Sequence, residues 1–322
     1  MATPTGAHST YNEPIGTGGD REDLSDILFD VSPTETPFIT AIKKSKSSAT
    51  NHEYLTDALE DAAENAFIEG EDAAPVQAAS RVRLGNYTQI FKKHAVVTGT
   101  QEKVLKGGGI KSEMAYQVAR RMKAIKRDAE FAFIGRANPK AVGSESVARE
   151  LGAFENYLSG DSYQGGSGET KPVGNGGASG SGGTARDLTE PLLKSALEVL
   201  WGQSGGNENI LGITGSFNRG IVSNFTASST RYVTTDDKKL VASIDVYDGD
   251  FHTLTMTPDR FCDPTALFLV DPEYAAVADL RSLTTKDLAV LGDSTRKELV
   301  WETTLEVCNP LAHVQLADLT TV

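Results

Sequence analysis

Residues 112–137 read SEMAYQVARRMKAIKRDAEFAFIGRA and carry the strongest helical pattern in the chain. Ser112 can cap the first turn, and Asn138-Pro139 ends the pattern. The apolar side chains recur every three or four residues, which places them along one face of an amphipathic helix. They are Met114, Val118, Met122, Ile125, Ala129, Ala132 and Phe133. A helix of about 25 residues at ~1.5 Å per residue is about 40 Å long, so we predict a strut within residues 110–137.

The other face of this helix is densely charged. Its basic residues are Arg120, Arg121, Lys123, Lys126 and Arg127, with Asp128 beside them. Such a face is more often solvated or salt-bridged than bound to nucleic acid, so we favour contacts with protein carboxylates over direct contacts with duplex DNA.

The segment before the helix, residues 49–101, separates its charges along the chain. From Glu53 to Asp72 there are eight acids and no Lys or Arg. After Pro75 apolar and polar residues alternate, which is typical of β-strand, and Arg81, Arg83, Lys92 and Lys93 are interspersed. We predict a two-armed, hairpin-like excursion with an acidic tip and a basic return arm, and such a segment cannot bury itself.

The rest of the chain alternates short elements with loops. Residues 159–185 contain ten glycines and predict a flexible surface loop. Beyond it the patterns predict helices at 188–201 and 216–225 and a short helix after Asp271-Pro272. They predict strands at 210–213, within 247–257, and at 266–270, 297–307 and 312–319.

Composition and charge narrow the function. The chain has 322 residues, with 31 Lys and Arg against 44 Asp and Glu, a net charge of −13. A protein whose main task is to neutralise nucleic-acid phosphates needs the opposite balance. Cys262 and Cys308 lie far apart without CxxC spacing, so neither a disulfide framework nor a cysteine zinc site is predicted. Neither a signal peptide nor an apolar stretch of the ~18 residues needed to span a membrane is recognisable, so no membrane partner is expected.

No motif predicts catalysis or a cofactor. The segment Gly107 to Ser112 lacks P-loop spacing, the five histidines are scattered, and the sequence around Ser216 lacks the second glycine of a nucleophile elbow. Acid pairs such as Asp248 with Asp250 are interpreted as solvated turn residues. The alternative is a hydrolase site assembled from Asp248, Asp250 and Asp271. We therefore predict a non-enzymatic protein with no catalytic, cofactor or metal site.

Several segments, taken in order, resemble the major capsid proteins of tailed double-stranded DNA phages, whose fold is shared with herpesvirus capsid floor domains and encapsulin shells. These segments are DLSDI (23–27), SPTETPF (32–38), RLGNYTQI (83–90), TGTQE (98–102), DPEY (271–274) and LGDS (291–294), the last leading into residues 299–306. Each segment is weak evidence alone, and their order and spacing carry the resemblance from about residue 20 to the end.

The resemblance implies an α+β fold with an arm, an extended loop over a neighbouring subunit, and two domains. We assign the arm to residues 1–48, the extended loop to 49–101, the peripheral domain with its spine helix to 102–158, a flexible Gly-rich insertion to 159–186, the axial domain to 187–285, and returning peripheral strands to 286–322.

The resemblance also implies a function. Copies of the chain would assemble into hexamers and pentamers of an icosahedral head that encloses double-stranded DNA without sequence specificity. Portal, scaffolding and decoration proteins are the implied partners, the virion capsid is the implied location, and assembly in the host cytoplasm is expected. Shell expansion is expected from the family, with Gly107, Gly108 and Gly109 as a candidate hinge. An encapsulin-like compartment and, less favoured, a soluble acidic-site hydrolase remain alternatives.

Candidate subunit contacts follow from exposed charge and apolar arm residues. The apolar candidates are Ile27, Leu28, Phe29 and Phe38, and the acidic candidates are Glu60, Asp61, Glu64, Glu69, Glu71 and Asp72. The basic candidates are Arg81, Arg83, Lys92 and Lys93, together with the spine residues Arg120, Arg121, Lys123, Lys126 and Arg127. Opposite charges on two copies would set register and partner choice more than affinity.

Overall fold

The computed structural model describes residues 35–57, 68–72, 81–105, 109–203, 209–225 and 246–321, with residues 59, 62, 64 and 66. The helices are α1 (Pro37–Ala41), α2 (Gly99–Lys103), α3 (Glu113–Ile134), α4 (Glu190–Gln203) and α5 (Ser216–Asn224). The strands are β1 (Lys43–Lys46), β2 (Asn51–Thr56), β3 (Val82–Tyr87), β4 (Gln89–Thr98), β5 (Tyr163–Gln164), β6 (Asn209–Thr214), β7 (Val246–Asp248), β8 (Thr253–Pro258), β9 (Leu267–Val270), β10 (Ala275–Asp287), β11 (Ser294–Val307) and β12 (His313–Leu316). Among the predicted site residues, Ile27, Leu28, Phe29, Glu60, Asp61, Gly107 and Gly108 lie outside the described residues.

The predicted strut is α3, which packs against a four-stranded sheet. The Ser112 hydroxyl accepts a hydrogen bond from the backbone N–H of Ala115 at 3.3 Å, so the predicted cap is confirmed. The helix buries Ile125, Ala129 and Phe133 and is 22 residues long. The sheet has the order β1-β10-β11-β4, in which β10 and β11 form a long antiparallel pair and β1 adds in parallel at one edge.

A second sheet of six strands has the order β5-β12-β9-β6-β8-β7. Helix α4 packs on it and buries Leu193, Leu197 and Leu200 in a separate apolar cluster. Phe154 joins the two halves of the molecule, because its ring lies 5.4 Å from that of Phe38 on one side and 5.9 Å from that of Phe268 on the other. Such edge-on aromatic contacts add to the energy of burial.

The strand pairing crosses several of the predicted boundaries. β4, which falls in the predicted loop 49–101, belongs to the four-stranded sheet and pairs with β11 over ten residues. β10 begins within the predicted axial range 187–285 but lies in that same sheet, and β12, within the range 286–322, lies in the six-stranded sheet. The predicted short helix after Asp271-Pro272 is wrong, because a turn there leads directly into β10.

The Gly-rich segment 159–186 has a defined path against the body, which corrects the prediction of a flexible loop. The Asp318 carboxylate accepts hydrogen bonds from the backbone N–H groups of Gly166 and Gly183, both at 2.8 Å. A Cβ atom at Gly166 would overlap the carbonyl oxygen of Thr184. The glycines therefore serve close backbone packing here.

Phe38 was predicted to bury against a neighbouring subunit, and the structure contradicts this. Its ring is fully buried inside the chain's own core, between Phe133 and Phe154. Phe38 lies in the first turn of α1, which starts at Pro37. Its apolar character alone did not reveal whether it would pack against its own chain or a neighbouring one. Within the described residues, none of the helices combines the length and apolar character needed to cross a bilayer.

Candidate functional site

A two-stranded hairpin projects from the body at the predicted extended loop. β2 and β3 pair antiparallel from Asn51 opposite Tyr87 to Thr56 opposite Val82. The described residues beyond the strands, which we call the tip (57–72), are uncovered: Leu59 is 98% exposed and Ile68 is 79% exposed. Two large apolar side chains that the chain's own body leaves in water favour a contact with another molecule.

The base of the hairpin is held to the body by buried hydrogen bonds. The Asn86 side chain donates to the carbonyls of Gly152 at 3.1 Å and Leu305 at 3.0 Å, and it accepts from the Gly152 N–H at 2.8 Å. The carbonyl of Gly85 accepts from Lys140 Nζ at 2.8 Å and from the Tyr157 hydroxyl at 3.1 Å. Because buried polar groups need partners, these contacts fix the direction in which the hairpin leaves the body.

A second set of contacts joins β2 to β11. The Tyr54 hydroxyl accepts from the N–H of Val307 at 3.1 Å, and His52 Nε2 lies 3.1 Å from Glu306 Oε2. The Ser45 hydroxyl donates to the same Glu306 oxygen at 2.7 Å. Burial alone would raise the pKa of Glu306, but these hydrogen bonds outweigh it and lower that pKa below its usual value. The carboxylate is therefore kept charged at the root of the hairpin.

The predicted basic contacts of the return arm already have partners within the chain. Across the hairpin, Arg81 pairs with Asp57 at 3.3 Å and Arg83 with Glu53 at 3.4 Å. On β4, Lys92 pairs with Glu298 at 3.6 Å and Lys93 with Asp128 at 2.6 Å. These four cations are partly or largely exposed, so each pair contributes little to stability and leaves the cations accessible.

The predicted acidic and spine residues lie on the surface. Glu64, Glu69, Glu71 and Asp72 are exposed on the tip, and none of the four makes an ion pair with any described residue. On α3, Arg120 lies over the Tyr116 ring at 5.7 Å and Arg127 over the Phe261 ring at 5.0 Å. Arg121, Lys123 and Lys126 are exposed on the same helix.

A cavity beside α3 escaped the sequence analysis. It has a volume of about 370 Å³ and opens between α1, β1, α3 and the four-stranded sheet. It is lined by Thr36, Ile39, Thr40, Lys44, Lys126, Val277, Asp279, Leu283 and Trp301. The alternation of Lys44 and Lys46 indicates that both side chains lie on one face of β1. The cavity wall is formed by the parallel pairing of β1 with β10, which a local sequence pattern does not predict.

A buried carboxyl pair was also missed. The two oxygens of Glu130, on α3, accept hydrogen bonds from the backbone N–H groups of Phe38 at 2.7 Å and Ile39 at 2.9 Å. Asp259, just after β8, faces the same carboxyl group. Burial raises the pKa of Glu130 to about 8, and that of Asp259 is raised by burial as well. The pair ties the start of α1, the spine helix and the end of β8 together.

The acids of the hydrolase alternative do not share an environment. Asp248 and Asp250 are exposed around the turn after β7, whereas Asp271 is fully buried at the end of β9. No group of three or more His, Cys, Asp or Glu side chains among the described residues could hold a metal ion. Gly109, the one described residue of the predicted hinge, has φ +68°, a conformation that glycine adopts without strain.

Comparison with known proteins adds family information to this geometry. A family model described as the SU10 major capsid protein matches residues 3–320. The major capsid protein of Escherichia phage Phieco32 is 30% identical over 131 residues, which is 40% of this chain and 36% of that protein's length.

Solved structures resemble the chain over nearly its whole length. The capsid asymmetric unit of cyanophage A-1(L) has a TM-score of 0.66 at 13% identity and covers 94% of this chain and 97% of its own. The capsid of a native GTA particle has a TM-score of 0.65 at 13% identity, with 96% and 98% covered. A structure from Gordonia phage Cozz has a TM-score of 0.59 at 12% identity, with 99% and 98% covered. At these identities the likeness establishes the fold.

Proposed function

The chain belongs to the SU10 major capsid protein family and is a structural capsid protein, and on this premise we propose how its parts act in the shell. Copies of the chain assemble into the hexamers and pentamers of an icosahedral head that encloses double-stranded DNA. The four-stranded sheet with α3 forms the peripheral domain, and the six-stranded sheet with α4 forms the axial domain. The role is structural and not enzymatic.

The projecting hairpin is the observation that carries this proposal. Its base is anchored by Asn86 and Gly85, while Leu59 and Ile68 at its tip are left in water. A monomer gains nothing from holding apolar residues outside its own core, whereas a neighbouring copy can bury them. In a closed shell every copy both gives and receives this contact, so many modest contacts together make a stable particle.

Further partners follow from the role of a head shell. The partners that we propose are a portal protein, a scaffolding protein and decoration proteins on the outer surface. The packaged DNA is bound without sequence specificity. The net charge of −13 suits an inner wall that does not hold the duplex in place while it is driven in. The protein is located in the virion capsid and assembles in the host cytoplasm.

Expression of the full chain, followed by sedimentation and negative-stain microscopy, tests the proposal. We expect closed shells or rings of subunits, formed by the chain alone or together with a co-expressed scaffolding protein. A protein that stays monomeric under both conditions, with its hairpin protected from proteolysis, would contradict a role in shell assembly.

A further inference from the structure

Three lysines lie at the cavity beside α3, and only Lys126 among them was a predicted contact residue. Lys44 and Lys126 line the cavity, and Lys46 lies next to it along β1. Within the described part of the chain none of the three makes an ion pair, whereas Arg81, Arg83, Lys92 and Lys93 all do. The rim of the cavity therefore carries ammonium groups that have no ion-pair partner among the described residues.

The floor of the cavity is apolar. Ile39, Val277 and Trp301 are buried, and Leu283 is half-buried beside them. The one acid in the wall, Asp279, accepts a hydrogen bond from the Trp301 indole N–H at 2.8 Å, so one of its oxygens is already used. A volume of about 370 Å³ is large enough for apolar side chains to enter. The site thus combines an apolar floor with a cationic rim.

The tip of the hairpin has the complementary character. Ile68 and Leu59 are exposed apolar side chains. Glu69 and Glu71 follow Ile68 along the chain, and the Glu71 carboxylate accepts a hydrogen bond from the Ile68 backbone N–H at 3.2 Å. Neither acid pairs with a cation in the described residues. Among the described residues, an exposed apolar side chain followed by two carboxylates that have no cationic partner matches an apolar floor beside ammonium groups that have no anionic partner, in both polarity and charge.

We infer that the cavity between α1, β1 and α3 receives the tip of the hairpin from a second copy of this chain, with Ile68 against the apolar floor and Glu69 and Glu71 beside Lys44 and Lys126. The inference rests on the proposed function, because it names the place on a neighbouring subunit where the hairpin docks. The contact is heterologous: each copy donates one tip and offers one cavity, which is the arrangement that closes rings.

Duplex DNA is the competing partner for a basic rim, and the floor argues against it. Phosphates gain nothing from the apolar side chains of Ile39, Leu283 and Trp301. A peptide that is both apolar and acidic can contact the floor as well as the lysines. The lysines of β1 also keep this edge strand from pairing with other strands, a role that does not require a partner in the cavity.

Charge exchange between the two surfaces tests the inference. The double variants K44E/K126E and E69K/E71K should each lower the yield of shells about tenfold, because each places like charges against each other. The quadruple variant carrying both changes should recover to within about threefold of the unaltered chain, because opposite charges again meet. K43E is the matched control: Lys43 is exposed on the same strand but faces away from the cavity, and its shells should form normally.

Each other outcome overturns the inference in a recognisable way. If K44E/K126E assembles normally, or if the quadruple variant gives no higher yield of shells than either double variant, the docking site lies elsewhere. Shells of K44E/K126E that form normally but lose packaged DNA would assign the lysines to the duplex. Shells formed by the unaltered chain in the same experiment keep the proposed function separate from these results.

A covalent test covers the case in which a charge variant does not fold. Thr40 lies at the exposed mouth of the cavity, where Thr40→Cys hardly changes the side-chain size. Ile68→Cys is smaller than the native side chain, but Ile68 is exposed and the cysteine keeps an apolar character. In assembled shells of the double cysteine variant, oxidation should link most chains into covalent oligomers seen on a non-reducing gel. Assembled shells whose chains remain single after oxidation would refute the docking.

Discussion

Glu302 on β11 and Arg281 on β10 form an ion pair of 2.6 Å between directly opposed residues of the two longest strands. The same carboxylate also accepts hydrogen bonds from the Arg149 side chain and, at 3.0 Å, from the Thr88 hydroxyl. Glu302 is almost fully buried, so its partners replace the water contacts that its carboxylate loses on folding. The cluster holds β10, β11, the end of the hairpin and the 141–150 loop in one arrangement.

Removal of this carboxylate should destabilise the subunit clearly. E302A leaves two arginines partly buried without a counter-charge, and we expect a loss of about 2–3 kcal/mol, reduced from the value for a fully buried pair because Arg281 is half-exposed. Urea unfolding of the unassembled subunit measures it. The control is E298A on the same strand, whose partners Lys92 and His94 are exposed, with an expected change below about 1 kcal/mol. Equal losses in the two variants would disprove the special role of Glu302.

Asn86 should be essential for the direction of the hairpin. N86A leaves the Gly152 N–H and the carbonyls of Gly152 and Leu305 without their partner, and we expect a loss of about 2–4 kcal/mol. Proteolysis of the unassembled subunit should cut the hairpin base faster as well. N51A is the control, because Asn51 makes an exposed hydrogen bond to Glu53 and should change stability by less than about 0.5 kcal/mol. A hairpin that stays equally protected in N86A would contradict the anchoring.

The Glu130 carboxyl should make stability depend on pH. Its pKa is raised from 4.5 to about 8, so the folded chain holds a proton that the unfolded chain releases. The stability due to this proton is therefore fully present below about pH 4.5 and is lost as the pH rises towards about 8. Unfolding free energies of the unassembled subunit at about pH 5.5 and about pH 8.5 should differ by more than about 1 kcal/mol from this source.

The variant E130Q separates this effect from other titrations. It should be less stable at about pH 5.5, because an amide cannot accept both backbone N–H bonds, and its pH dependence should be shallower than that of the unaltered chain. E145Q, at an exposed glutamate, should keep the original pH dependence. An unchanged slope in E130Q would show that the proton is held elsewhere.

The Gly-rich segment should be sensitive to side chains where the backbones meet. G166A forces a methyl group against the Thr184 carbonyl, and we expect a loss of about 2–3 kcal/mol in urea unfolding. G220A is the control: Gly220 lies within α5 with open space around it, and alanine there should stabilise the subunit by up to about 1 kcal/mol. A tolerated G166A would support the flexible loop predicted from composition.

Local pattern was sufficient for several elements. The three-and-four spacing and the Ser112 cap located α3 to within three residues of its end, and the alternation from Val82 onwards located β3 and much of β4. The charges between residues 53 and 93 were predicted to meet opposite charges on another copy, but Arg81 and Arg83 pair with Asp57 and Glu53 of the same hairpin. The located elements depend on neighbours along the chain, which is what periodicity reports.

Only the tertiary structure decided which surfaces are satisfied within the chain and which are left for another molecule. Phe38 and Leu59 are both large apolar residues, yet one is fully buried in the chain's own core and the other is almost fully exposed. Lys93 and Lys126 are both surface cations, yet Asp128 pairs only with the first. Burial and pairing depend on strands brought together from distant parts of the chain, such as β1 with β10. A local sequence pattern does not report the free energy of these long-range contacts, because the contacting residues are far apart in the chain.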